Sequence, residues 1–296
     1  MSHRQSQGDF PQSATQDRQY PIWPGVLLIL LAATFFRSLP LLENRFHPDE
    51  ALYASFGRLI ASGQDVLLSH VLVDKPPLSF YLTALSFLLF GNHELAARLP
   101  TLLASLVSIA LVFALARRLY NRTTAYFAAL ALALSPFAIL FSITAFVDPL
   151  LTALVLWGLW LILHRRYRRA GLAFALAFAT KQTALLFVPL ALAIGLLALP
   201  ATATVQDALR QLRSIASPLL GGLVLVTLTV LTWEVARRPP ISFWEQGYSD
   251  NVPGRFIRAN EVLPRARAWL ALLDYTTASA PLNSLFLLGL PVLLIA

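Results

Sequence analysis

The chain has 296 residues, of which 57% are hydrophobic and 13% charged, with a formal net charge of +8 and a mean hydropathy of +0.66. Globular domains carry about 25% charged residues, so this composition indicates an all-α polytopic membrane protein. The basic residues fall in short clusters between apolar runs, which the positive-inside bias explains without nucleic acid; the absence of cysteine excludes disulfides, thiol catalysis and cysteine-based metal sites.

Residues 1 to 21 are polar and lack the apolar core of a cleavable signal, so a disordered cytoplasmic tail ahead of an uncleaved anchor is expected. Crossing a bilayer takes roughly 20 apolar residues. On that rule spans are expected at 23 to 42, 99 to 116, 123 to 143, 149 to 163 and 215 to 235, with a last one starting near 282. The last run reaches residue 296 inside a span, so residues 22 to 296 read as one transmembrane domain cut short at its C-terminus. The amphipathic stretch 49 to 61 and the short run PLSFYLTALSFLLF at 77 to 90, bounded by Pro76-Pro77 and Gly91, are expected to lie on the membrane surface. Residues 170 to 199 contain Lys181, and a single span there would bury the lysine in lipid at about 3 kcal/mol. Two helices meeting at Lys181 avoid that penalty.

Arg117, Arg118 and Arg122 share one connection, and Arg165, Arg166, Arg168 and Arg169 share another two spans later. Both connections are expected in the cytoplasm. The first loop (43 to 97), Asp148, Lys181 and the late loop (237 to 280) then face outward. The late loop carries six arginines, against the bias, so either the topology differs there or those arginines have a ligand.

The chain has only two lysines, Lys75 and Lys181. On this topology both face the outer surface, together with Asp49, Glu50, Asp74 and Asp148, and Arg255 and Arg258 of VPGRFIRAN can join them. Each has a structural explanation of its own. Asp49 and Glu50 follow Pro48 and fit the acidic first turn of a helix. Asp148 precedes Pro149 and, taken alone, fits an N-cap better than a ligand. Lys75 and Lys181 can snorkel, the loop arginines can be solvated, and Arg98, opening a span, fits a headgroup anchor or a residue facing the same site.

One substrate class explains the cluster as a whole: a lipid carrying phosphate and sugar. Cations hold a phosphate at the interface. A polyprenyl phosphate leaving a sugar needs positive charge more than a general acid, whereas an attacking acceptor hydroxyl must lose a proton, which an outer carboxylate can take.

In order, the segments HPDEALYA, DKPPLSFYLTALSFLLFG, ELAARLP, RRLYNR, AFVDPLLT and ATKQTALLFVPLAL resemble the GT-C membrane glycosyltransferases, in the group of dolichyl-phosphate-mannose protein mannosyltransferases, aminoarabinose transferases and Rgt-type lipopolysaccharide-core transferases. The resemblance covers residues 23 to 260. It implies a GT-C-like helix bundle with interfacial helices in the first outer loop, and sugar transfer from a polyprenyl-phosphate donor to a hydroxyl of a lipid, glycan or protein at the outer face of the cell membrane, by inverting single displacement. It implies Asp49 as the catalytic carboxylate with Glu50 supporting it, Lys75, Lys181 and Arg255 or Arg258 on the donor phosphate, and Asp148 near the acceptor. Some relatives hold a metal between an acidic residue before the Lys-Pro and a histidine of the late loop. Here Asp74 fills the first place but residues 237 to 280 contain no histidine, which argues against a divalent metal. The rival reading is a transporter or flippase of an anionic lipid-linked sugar. Such proteins are often built from internal repeats, and no repeat relates the two halves.

Overall fold

The computed structural model describes residues 21 to 43, 45 to 200, 202 to 251, 257 to 277 and 283. Regular structure among them is helical: α1 (Trp23–Glu43), α2 (Pro48–Ala61), α3 (Leu78–Phe90), α4 (Glu94–Leu119), α5 (Arg122–Leu134), α6 (Pro136–Ser142), α7 (Asp148–Leu163), α8 (Tyr167–Thr180), a 3₁₀ turn (Gln182–Phe187), α9 (Val188–Leu197), α10 (Val205–Arg237), α11 (Phe243–Asn251) and α12 (Ala259–Thr277). The expected N-terminal tail and the span from 282 lie outside the described residues, Pro21 and Asn283 apart.

Among the described residues three helices are long and apolar enough to cross a membrane, over Trp23–Leu41, Glu94–Leu119 and Val205–Arg237. Their outward faces are apolar, with Leu28, Leu31, Leu103, Val224 and Leu225 exposed, as lipid contact requires. The continuous span expected at 123 to 143 is instead broken, with α5 and α6 bent by 59°. Pro136 explains the break: it has no N–H for the carbonyl four residues back, and its ring clashes there. Ser135 takes up the new helix start by accepting from the Ala138 N–H at 3.4 Å. The buried Arg37 of α1 fills the break, donating to the Ala133 carbonyl at 2.9 Å and to Ser105 Oγ of α4 at 3.2 Å. The expected span at 149 to 163 is α7, whose 16 residues rise only about 24 Å at 1.5 Å each. α7 is thus shorter than a hydrocarbon core of about 30 Å.

The main core lies where α7, α8 and α10 meet, around Leu159, Ile162, Phe174, Phe178 and Leu219. α8 and α10 approach so closely that a Cβ on Gly171 would sit 2.2 Å from the Pro218 carbonyl oxygen, and one on Gly222 2.5 Å from the Gly171 oxygen. Backbone cannot move aside as a flexible side chain can. Gly171→Ala is therefore expected to lower the thermal midpoint of the purified protein, by overpacking of about 1 to 3 kcal/mol, although alanine is the better helix former. An unchanged or raised midpoint would show that the two helices separate freely.

The first loop is tied to the far end of α10. Phe56, Phe80, Trp233 and Phe243 pack together with Leu68 and Val73. The buried Arg237 donates to the Leu68 carbonyl at 3.1 Å and the Val71 carbonyl at 2.8 Å, and pairs with Glu234 at 2.9 Å. Arg265 pairs with Glu261 at 3.4 Å. Two of the six arginines that ran against the positive-inside bias thus have partners within the chain. Asn121 caps α5, its side chain accepting from the Thr124 N–H at 2.9 Å.

Candidate functional site

α2 and α3 form as expected, and the chain breaks at Lys181, whose φ of −156° and ψ of 135° interrupt the helical path between α8 and the 3₁₀ turn. These features bring the N-terminus of α2, the Asp74-Lys75 segment, the N-terminus of α7 and the Lys181 break into one neighbourhood.

Tyr53 marks that neighbourhood. Its hydroxyl is held above the usual phenol range, first by burial and then by the carboxylates of Asp74, Asp49, Asp148 and Asp250. Four acids from four separate segments are thus close enough to act on one oxygen. Three of them were expected from the sequence. Asp250, at the end of α11, was not; nothing in DNVPG distinguishes it from a solvated loop acid. The ring of Phe146, two residues before Asp148, lies between Tyr53 (centroids 6.3 Å) and His47 (5.9 Å).

Both lysines are paired. Lys181 Nζ donates to Asp148 Oδ1 at 2.6 Å across 33 residues, and Lys75 Nζ donates to the Asp74 carboxylate. Gln182 Nε2 donates to the Asp74 carbonyl at 3.0 Å, and a Cβ on Gly247 of α11 would lie 2.9 Å from that same oxygen. The N-cap role expected for Asp148 is not realised: Val147 occupies the cap position with no side-chain bond, and Asp148 opens α7 as its first residue. Its carboxylate serves Lys181 instead.

Asp49 and Glu50 separate in role. Asp49 is 66% exposed, with a carboxylate oxygen 3.8 Å from His47 Nδ1. His47, not Asp49, caps α2, accepting from the Asp49 N–H at 3.3 Å. Glu50 is 2% exposed and accepts from Arg98 Nε at 2.5 Å, the Ala145 N–H at 3.1 Å and the His47 N–H at 3.2 Å. Glu50 therefore binds α2, α4 and the loop before α7 together. Arg98 is not the headgroup anchor expected at the start of a span: it is 1% exposed, paired with Glu50, and lies 4.9 Å from the Phe46 ring centroid.

Two cavities adjoin these groups. One of about 230 Å³ is walled by Arg45, His47, Glu50, Arg98, Thr144 and Phe146. The other, of about 550 Å³, runs from Asp148 between α4, α5, α6 and α7 past Ser105, Leu132, Phe137 and Phe141, a size suited to a small ligand or lipid segment. Arg258 is exposed, with no ion pair among the described residues; Arg255 lies outside them. Among the described residues no three His, Asp or Glu side chains gather to hold a metal ion, and Asp74 is engaged by Lys75.

Comparison with known proteins adds an independent line. The family profile of dolichyl-phosphate-mannose-protein mannosyltransferases matches residues 74 to 233, a stretch that contains Lys75, Asp148 and Lys181 and begins after Asp49 and Glu50. YkcB of Bacillus subtilis (strain 168), named provisionally as a mannosyltransferase, is 30% identical over 158 residues, covering 51% of this chain and 22% of that protein. The undecaprenyl phosphate-alpha-4-amino-4-deoxy-L-arabinose arabinosyl transferase of Pseudomonas aeruginosa (strain LESB58) is 30% identical over 187 residues, 56% of this chain and 34% of the relative. A second transferase of that name in Proteus mirabilis (strain HI4320) is 27% identical over 183 residues, 56% and 33% respectively. The chain thus aligns with about a fifth to a third of the length of these relatives. No solved structure matches.

Proposed function

The chain belongs to the dolichyl-phosphate-mannose-protein mannosyltransferase family, and we propose that it is a membrane glycosyltransferase drawing on a polyprenyl-phosphate sugar. In this reading the sugar passes to a hydroxyl of a lipid, glycan or protein at the outer face of the cell membrane. The observation that carries it is the meeting of an accessible carboxylate, Asp49, with the Asp74–Lys75 and Asp148–Lys181 pairs around Tyr53, beside an apolar cavity of about 550 Å³.

Asp49 accepts the proton of the acceptor hydroxyl as its oxygen bonds to the anomeric carbon. The bond from that carbon to the phosphate oxygen breaks with its electron pair on the leaving polyprenyl phosphate. Attack opposite the leaving group inverts the carbon. Lys75 and Lys181 take the phosphate charge: each ammonium has three hydrogens, so the contact to its own carboxylate leaves hydrogens for the ligand. Arg255 and Arg258 add charge from the late loop. Asp148 holds Lys181 in place near the acceptor. Glu50, spent on Arg98 and two backbone donors, positions α2 rather than meeting substrate. The cavity running from Asp148 accommodates isoprenoid units next to the phosphate.

Lys181→Met is expected to weaken donor binding about 10- to 150-fold, the loss of a charge-assisted hydrogen bond of roughly 1.5 to 3 kcal/mol, read as a raised KM for donor. An unchanged KM would remove Lys181 from the donor site. The activity itself is tested with full-length protein in detergent and in vesicles, given a donor radiolabelled in the sugar. Transfer separates the label from the polyprenyl phosphate; vesicles that accumulate the intact labelled lipid instead would make the protein a transporter.

A further inference from the structure

A cavity with a strongly basic wall lies away from the groups described above. At the end of α7 opposite Asp148, about 24 Å along the helix, a space of about 610 Å³ is walled by Arg165, Arg166, Arg168 and Arg169, with Ser214 and Pro218 of α10 on its other side. All four arginines are exposed, and none of them pairs with a carboxylate among the described residues. The acid at this end, Asp207, is already engaged: it accepts from the Thr204 N–H at 2.9 Å and Thr204 Oγ1 at 2.7 Å. The same wall contains the start of α8, where Arg166 occupies the cap position and no side chain satisfies the first-turn N–H groups. Unsatisfied first-turn donors and the positive helix end favour an anion.

Positive-inside anchoring alone asks only for arginines in water near headgroups. It does not ask for a concave site that gathers four of them against a neighbouring helix. Apolar surface continues from the cavity toward the membrane: Leu172, one turn on from Arg168 and Arg169 along α8, is 47% exposed, and Leu225, on the face of α10 that carries Ser214 and Pro218, is 64% exposed. Acyl chains can lie on these residues while the headgroup phosphate meets guanidinium forks, which match phosphate geometry. The floor is rigid, because Gly171 and Pro218 hold α8 against α10 at backbone distance.

We propose that this cavity binds a phosphate group, carried by the headgroup of an anionic phospholipid in the leaflet at the arginine-rich face. The site is independent of the transferase reading, since it shares no residue with it.

Native mass spectrometry of the full-length protein in detergent tests the proposal, with phosphatidylglycerol and phosphatidylcholine as probes and inorganic phosphate as a separate arm. The expected result is one phosphatidylglycerol retained at a concentration about tenfold or more below that needed for phosphatidylcholine. Arg168→Gln/Arg169→Gln should abolish that preference, while Arg117→Gln/Arg118→Gln, which removes the same charge from the end of α4, should keep it. If the first variant does not insert, Arg168→Lys/Arg169→Lys preserves the charge and loses the fork; a reduced preference supports the site, and an undiminished one overturns it. Inorganic phosphate that binds the parent and not the Arg168/Arg169 variant, without any lipid preference, assigns the same site to a soluble phosphate. Equal retention of both lipids with no phosphate binding, or equal loss in the two glutamine variants, overturns the proposal.

Discussion

Asp49→Asn is expected to lower sugar transfer about 10²- to 10⁴-fold, the usual contribution of a positioned general base, while leaving donor binding and thermal stability close to those of the parent. The stability half of this expectation follows from geometry. Asp49 is 66% exposed, and the cap of α2 is made by His47 with Glu50 completing the box. Asparagine keeps the shape and loses only a first-turn charge, a matter of about 0.3 to 1 kcal/mol at an exposed helix start. Rates under donor saturation, with a melt of the same preparation, check both halves. A variant that transfers sugar at the parental rate would take the base away from Asp49, and a variant that fails to fold would contradict the assignment of the cap to His47 and Glu50.

Arg98→Met is expected to destabilise the protein by about 3 to 5 kcal/mol, because it leaves the carboxylate of Glu50 buried without its counter-ion. Two backbone donors, Ala145 N–H and His47 N–H, would still reach Glu50, which tempers the effect without replacing a full charge. Glu50→Gln/Arg98→Met removes both charges and should recover much of the loss, since replacing a buried pair by neutral groups is often neutral or stabilising. Denaturation of the parent, both single variants and the double variant gives the coupling directly. Additive effects would mean that the pair is not the joint between α2, α4 and the loop before α7. The two adjacent acids thus make opposite forecasts: substitution of Asp49 acts on rate, and substitution of Glu50 acts first on stability.

Local signals in the sequence carried the helices that frame the site. The amphipathic period at 49 to 61 and the Pro- and Gly-bounded run at 77 to 90 appear as α2 and α3, and the insertion penalty of one lysine anticipated the break at Lys181. Asp148 and Lys181, 33 residues apart, were expected on one face through span counting alone and are 2.6 Å apart. What stayed hidden were pairings that depend on which helix packs against which. A lone arginine at the start of a span has the same local signature whether it meets a headgroup or a buried glutamate 48 residues earlier, as Arg98 does. Arg237 was counted among outward loop charges because its partners, the Leu68 and Val71 carbonyls, are more than 160 residues upstream. Pro136 did signal a break, but the apolar run around it outweighed one residue in a span count. Asp250 had no local signature, and only the packing of α11 against the Asp74 segment brings it to Tyr53.

Leaflet-resolved turnover joins the chemistry to the face on which it takes place. These 296 residues contain no cysteine, so Ser249→Cys, on the exposed surface of α11, gives them a single thiol whose labelling reports their orientation in vesicles. A polyprenyl-phosphate sugar restricted to one leaflet is then supplied together with acceptor. The predicted result is release of polyprenyl phosphate only when the donor occupies the leaflet on the side where the introduced thiol is labelled, with Asp49→Asn inactive in the same vesicles. Release from the opposite leaflet, or donor that stays intact on both sides, would contradict a transferase working at Asp49.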